Sequence, residues 1–181
     1  GAGGTASTVA GIPFFSADNS IYTHDVSGTD DTAQHNAAYG IGAMDAITTG
    51  DQNSALGYNA LSANNTGAQN TAMGRLSLEV NTSGDNNTAY GSSTLSANST
   101  ADDNTAIGKS SLQANTTGAA NTAVGKDSLK ANTTGTRNLA IGYQAYTASD
   151  TENDNLAIGY QAMVTNTAGG QYNIAIGNYA A

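Results

Sequence analysis

One five-residue pattern, Asn-x-Ala-apolar-Gly, recurs along most of the chain at a nearly constant spacing. Nine copies run from Asn36 to the copy that begins at Asn173, separated by 17 residues seven times and by 18 residues once. Counting the asparagine as position one, the third position is always alanine, the fourth is large and apolar, and the fifth is glycine. A fixed period is typical of repeat architectures, in which each unit packs only on its neighbours. The repeat therefore constrains the fold more than any other property of the sequence.

The period itself favours a coil of β-structure. Seventeen residues are too few for two packed helices, and the units alternate short apolar stretches with Asn, Thr and Gly corners. At about 3.3 Å per residue, one unit can trace a coil with two strands of about five residues, and successive coils stack about 4.8 Å apart. The sequence predicts an all-β fold, a parallel β-solenoid of about nine to ten coils, in residues 36–181. Residues 1–35 are expected to form an N-terminal capping or connecting segment with one degenerate coil, and the apolar residues 12–15 are the candidate cap.

The invariant positions have mechanical explanations in such a coil. Glycine at position five suits a corner with positive φ or a close backbone approach, and alanine at position three suits a thin core. Asparagines stacked in successive coils can hydrogen-bond along the rod, which predicts a structural ladder. The ladder residues are Asn53, Asn70, Asn87, Asn104, Asn121, Asn138 and Asn155.

The residue at position four indicates whether the chain associates with other chains. Neighbouring residues of a strand point to opposite faces, so positions three and four cannot both face the interior. If the alanines and the Leu or Met residues of position nine fill the core, position four forms an exposed apolar stripe, which indicates an oligomer interface. The opposite facing, with the large residues inside, would allow a monomer. The predicted interface residues are Tyr39, Leu56, Met73, Tyr90, Ile107, Val124, Ile141, Ile158 and Ile176.

Composition narrows the classes of function. The formal net charge is −9, from 14 acidic and 5 basic residues, which argues against a nucleic-acid partner. No apolar run reaches transmembrane length, so we expect no membrane insertion. The chain has two histidines, both outside the well-formed repeats, and no cysteine, and it therefore offers few groups for catalysis. We expect no enzyme activity, no catalytic residues and no cofactor.

Three surface features are candidates for ligand contact. Asp102, Asp103 and Asp154 lie at one corner of the repeat, where stacked carboxylates could hold calcium. The Gly-Asp nonapeptide of calcium-binding rolls is absent, so we expect no metal, and a solvated acidic face is the alternative. Tyr143 and Tyr160, each followed by glutamine, could contact a glycan, or else they are ordinary surface residues. Threonines at positions thirteen and fourteen suggest an ice-binding face, although their pattern is interrupted.

Two segments of the repeat carry a resemblance to a known family. NTAIGKSSLQANTTG and NLAIGYQA resemble the YadA-like head repeats of trimeric autotransporter adhesins, and still more the related repeats of bacteriophage tail-fibre proteins. The resemblance covers 146 of the 181 residues, although the autotransporter repeats are usually spaced more closely. It implies a left-handed parallel β-roll, three chains side by side about one axis, and a role in surface attachment.

These expectations combine into one function with two alternatives. We expect a structural or adhesive homotrimer of a fibre at an extracellular, cell or virion surface. Its partners would be copies of itself and a cell-surface glycan or protein. A filament of subunits joined head to tail through open coil ends is one alternative, and a monomeric ligand- or ice-binding solenoid is the other.

Overall fold

The structure is a computed structural model that describes residues 32–148, 150–164 and 170–180, and the backbone of three short strands before them. Those strands are β1 (Ser7–Val9), β2 (Ile12–Ala17) and β3 (Ser20–Tyr22); β2 pairs antiparallel with both of its neighbours. β3 then pairs in parallel with β4, the first strand of the repeat. Residues 12–15, the candidate cap, fall in β2, and their side chains lie outside the described residues.

The repeat forms one continuous parallel ladder. Its strands follow one another in chain order and pair position by position, so that Ala106 lies opposite Ala89 on one side and Ala123 on the other. The strands are β4 (Ala37–Tyr39), β5 (Ser54–Leu56), β6 (Thr71–Met73), β7 (Thr88–Tyr90), β8 (Thr105–Ile107), β9 (Thr122–Val124), β10 (Leu139–Ile141), β11 (Leu156–Ile158) and β12 (Ile174–Ile176). These nine strands enclose eight coils, and the described residues contain no helix that could cross a membrane. The predicted all-β parallel β-solenoid with 17-residue coils is confirmed.

The path of each coil differs from the expectation of two five-residue strands. Each coil has one strand of three residues, at positions two to four. The remainder turns through left-handed backbone at positions seven, nine and seventeen, as at Ser110 (φ 57°), Leu112 (φ 48°) and Ala120 (φ 58°). Left-handed backbone costs an L-residue about 1–2 kcal/mol, so the contacts between coils must offset it. The single strand is a correction to the sequence prediction, and its cause is this series of tight corners.

Glycine at position five is needed for both of the reasons that the sequence suggested. Gly108 has φ +124°, a region that L side chains rarely adopt. A Cβ added there would lie 2.6 Å from the carbonyl oxygen of Gly125 in the next coil. Contacts between real Cβ atoms and backbone are never that short, so any side chain at this position would force neighbouring coils apart.

The core is a thin set of stacked columns, in which most side chains are small or of medium size. The alanines of position three and the residues of position nine are buried, as Ala106 and Leu112 illustrate. The buried residues of position nine are Met44, Leu61, Leu78, Leu95, Leu112, Leu129, Tyr146 and Met163. This burial confirms the facing in which the alanines lie inside and position four lies outside.

Candidate functional site: the outer face of the strands

The outward side of β4–β12 forms one continuous surface, which we call the strand face. Its main column is position four, where the exposed fraction is 53% for Tyr39, 40% for Ile107 and 66% for Ile176. Leu56, Tyr90 and Ile141 are likewise exposed, and Met73, Val124 and Ile158 are half-buried. The structure therefore places all nine residues of the predicted interface in one outward column.

The second column of the strand face, position two, changes in polarity along the rod. It holds threonine in the four coils from β6 to β9, and then Leu139, Leu156 and Ile174 in the last three strands. In those last strands both outward columns are aliphatic, so the apolar surface widens toward β12. The sequence prediction did not include position two, although its alternation with the buried alanine would have identified it as outward.

The predicted asparagine ladder is held mainly through the backbone. Asn104 Oδ1 accepts a hydrogen bond from the N–H of Asn121 at 2.9 Å, and Asn104 Nδ2 donates to the carbonyl of Gly118 at 2.9 Å. A longer bond of 3.3 Å joins Asn104 Nδ2 to Asn87 Oδ1. The bond from backbone N–H to side-chain oxygen recurs at every step from Asn36 to Asn173. Each coil therefore contributes an acceptor that fixes the start of the next strand.

A second asparagine ladder, at position twelve, was not among the predicted site residues. Here the amides bond one another directly: Asn115 Nδ2 donates to Asn98 Oδ1 at 2.9 Å and to the carbonyl of Gly118 at 2.9 Å. The members are Asn64, Asn81, Asn98, Asn115 and Asn132, all of them fully buried. The recurrence of asparagine at this position was the signal that could have identified the ladder, and its burial makes it structural.

The acidic residues named as calcium candidates have other partners or face solvent. Asp102 Oδ1 accepts a hydrogen bond from the backbone N–H of Asp85 at 2.8 Å. Arg137 forms two hydrogen bonds with Asp154, at 2.6 and 2.8 Å, and these bonds hold the pKa of the Asp154 carboxyl below its usual value. Asp103 is exposed. Among the described residues, no three His, Cys, Asp or Glu side chains are grouped to hold a metal ion.

Tyr143 and Tyr160, the glycan candidates, stack on each other. Their ring centroids are 5.4 Å apart with an interplanar angle of 10°. Lys126, from the preceding coil, places its Nζ 5.1 Å from the Tyr143 centroid, and Tyr179 packs its ring edge-on against Tyr160 at 5.2 Å. A hydrogen bond with Tyr179 raises the pKa of the Tyr160 phenol. The ring faces are thus in contact with neighbours, which leaves ring edges and hydroxyl groups for a ligand.

Comparisons with protein-family models, curated protein sequences and solved protein structures find no match for this chain. The class to which the protein belongs is therefore defined by its fold, and it is a β-solenoid repeat protein. The resemblance to YadA-like and tail-fibre repeats stays a prediction from the sequence.

Proposed function

We propose that this chain is a structural subunit of a surface fibre in which three copies lie side by side and bury their strand faces. The observation that carries the proposal is the uninterrupted outward column at position four. Large apolar side chains occupy it in all nine strands, with none of them fully buried in the single chain. A contiguous apolar surface of this extent on a folded protein marks an interaction site.

The hydrogen-bond ladders support a mechanical role. One column of asparagines joins every coil to the next, and a second, buried column joins the five coils that contain Asn64 to Asn132. The eight coil steps of the parallel strands at about 4.8 Å each give a rod about 38 Å long. Stacked coils of this kind extend without changing their cross-section, which suits a shaft that carries other parts at a fixed distance. The net charge of −9 keeps such a rod soluble and resists unspecific aggregation.

The number of three chains and the role in attachment rest on the resemblance to trimeric adhesin and tail-fibre repeats. A location at an extracellular, cell or virion surface belongs to the same proposal, with a surface glycan or protein as the target. Solenoid surfaces vary without changing the repeat, so the target is set by exposed residues outside the invariant positions. Glycan-array screening of the assembled protein would test this part.

The assembly is tested by the mass of the purified chain in solution. Sedimentation equilibrium is expected to give three times the chain mass of 18.1 kDa. Replacing Ile107→Asp together with Ile141→Asp places charges on the strand face and is expected to give monomers. Thr117→Asp together with Thr134→Asp is the matched control, because both threonines are exposed at position fourteen, away from the strands. The control is expected to assemble as the wild type does.

Each other outcome points to a different conclusion. A monomeric wild type contradicts the trimer and favours the monomeric ligand- or ice-binding solenoid. Growth without a defined end point favours the head-to-tail filament. If the Ile107 and Ile141 variant stays folded by circular dichroism and assembles as the wild type does, the strand face is not the interface.

A further inference from the structure

Two lines of charge with opposite sign border the strand face. Positions sixteen and seventeen precede the strand in each coil, with only the asparagine of position one between them and the strand. Position six directly follows the glycine of position five, so the two sets of residues lie at opposite borders of the strand. The first border, which we call the acidic edge, carries Asp51, Asp85, Asp102 and Asp103. The second, the basic edge, carries Arg75, Lys109 and Lys126. Arg137 and Asp154 also lie at the acidic edge, but they pair with each other and add no net charge.

These charges are only partly neutralised within the chain. Lys109, Asp102 and Asp103 make no ion pair in the part of the chain that the structure describes. On the basic edge, Lys126 shares the carboxylate of Asp127 with Lys130, both at 3.2 Å, so two cations meet one anion. The acidic edge therefore keeps a surplus of negative charge, and the basic edge a surplus of positive charge.

We infer that the two edges are contact surfaces between copies of this chain, with the acidic edge of one copy against the basic edge of the next. The inference rests on the proposed function, which brings strand faces together. Rotation about an axis along the rod places the border that precedes the strand in one copy opposite the border that follows it in its neighbour. Antiparallel rods would instead place acidic edge against acidic edge and basic edge against basic edge, and repulsion between like charges disfavours that arrangement. The charges therefore select parallel rods.

The same symmetry sets the register of the contact. A rotation about the rod axis keeps every coil at its own height, and Asp103 directly precedes the coil that contains Lys109. These two residues therefore come to nearly the same level on facing edges of neighbouring copies. Exposed charge pairs of this type act mainly on orientation and association rate, while the apolar column supplies the buried area.

Charge reversal tests the contact. Asp103 is exposed and Lys109 is unpaired among the described residues, so both can be changed with little effect on the coil. Asp103→Lys alone, or Lys109→Asp alone, is expected to raise the protein concentration needed for assembly about ten-fold at low salt. The two changes together restore opposite charges and are expected to return that concentration close to the wild-type value. The difference between the single reversals and the wild type should shrink as salt screens the edges.

The polarity of the rods has an independent test. The chain has no cysteine, so single spin labels can be placed by Thr49→Cys or Thr100→Cys, two exposed residues at position fourteen, three coils apart. Parallel rods give the same distance between copies at both sites. Antiparallel rods that cross near Thr100 separate the Thr49 labels by about 29 Å along the rod.

The outcomes separate this inference from the proposed function. An assembly with antiparallel distances, or single reversals that leave assembly and its salt dependence unchanged, would overturn the inference and leave the association itself standing. A monomeric wild type would overturn both.

Discussion

Removing one asparagine from the middle of the first ladder should cost far more stability than removing the same residue at its end. The side chain of Asn104 takes part in five hydrogen bonds, to two neighbouring asparagines and to the carbonyls of Asp102 and Gly118. The side chain of Asn173 makes one bond to the described residues, a donation to Asn155 at 3.0 Å. Asn104→Ala and Asn173→Ala therefore form a matched pair of variants, the first removing five hydrogen bonds and the second removing one.

The loss of stability depends on which buried polar groups still have a hydrogen-bond partner after the substitution. Without the Asn104 side chain, the buried N–H of Asn121 loses the acceptor that it has among the described residues, and an orphaned buried donor costs about 1–3 kcal/mol. The carbonyl of Gly118 keeps its bond from Asn115, so there only a hydrogen bond of about 0.5–1.5 kcal/mol is lost. A similar loss at the carbonyl of Asp102 brings the expected total to about 2–6 kcal/mol. For Asn173→Ala the single lost bond predicts about 0.5–1.5 kcal/mol.

Urea denaturation followed by far-ultraviolet circular dichroism measures the two free energies of unfolding. Hydrogen exchange adds a local measurement, because the amide of Asn121 should lose protection in Asn104→Ala and keep it in Asn173→Ala. Equal destabilisation by the two variants, or an Asn121 amide that stays protected, would refute the reasoning that the ladder works through the backbone N–H.

Two further predictions concern the polar residues of the corners. At position sixteen, a side-chain oxygen of Asp or Asn accepts a hydrogen bond from the backbone N–H at the same position of the preceding coil. Ala119 has no such oxygen, and the N–H of Asp102 is unpaired in the described chain. Ala119→Asn should therefore raise the free energy of unfolding by about 1 kcal/mol, whereas the control Ala131→Asn, at an exposed position, should not. Burial acts to raise the pKa of Asp127, but hydrogen bonds from its two lysine neighbours outweigh it and leave that pKa lowered. This carboxylate therefore stabilises the fold above its unfolded pKa, near 3.9, and the contribution is lost as the pH falls through the folded pKa. In Asp127→Asn, the urea concentration at the unfolding midpoint should fall less between about pH 5 and pH 2 than it does in the wild type. An equal fall in both proteins would contradict this role of Asp127.

Much of the solenoid could be predicted because the same residue pattern recurs in every coil. The constant spacing fixes the coil length, and alternation within the strand separates Ala106 from Ile107 onto opposite faces. The roles of glycine at position five follow from what its missing side chain permits, and Gly108 uses both of them. The residue at position two varies between coils, so alternation places it outside but did not mark it as part of the interface. The sequence predicted an acidic corner, but not that a basic edge lies across the strand face from it.

The sequence by itself determined the period, the parallel stack and the inward columns, because identical residues at identical spacing can be buried only if successive coils superimpose. Only the tertiary structure decided how each coil closes. Leu112 adopts left-handed backbone, against the intrinsic preference of an L-residue, and no local pattern indicates it. The tertiary structure also decided that the Tyr143 ring packs between Lys126 and Tyr160, and that the Asp102 carboxylate accepts a hydrogen bond from a backbone N–H. These contacts join residues of different coils, and they exist only once the coils are stacked.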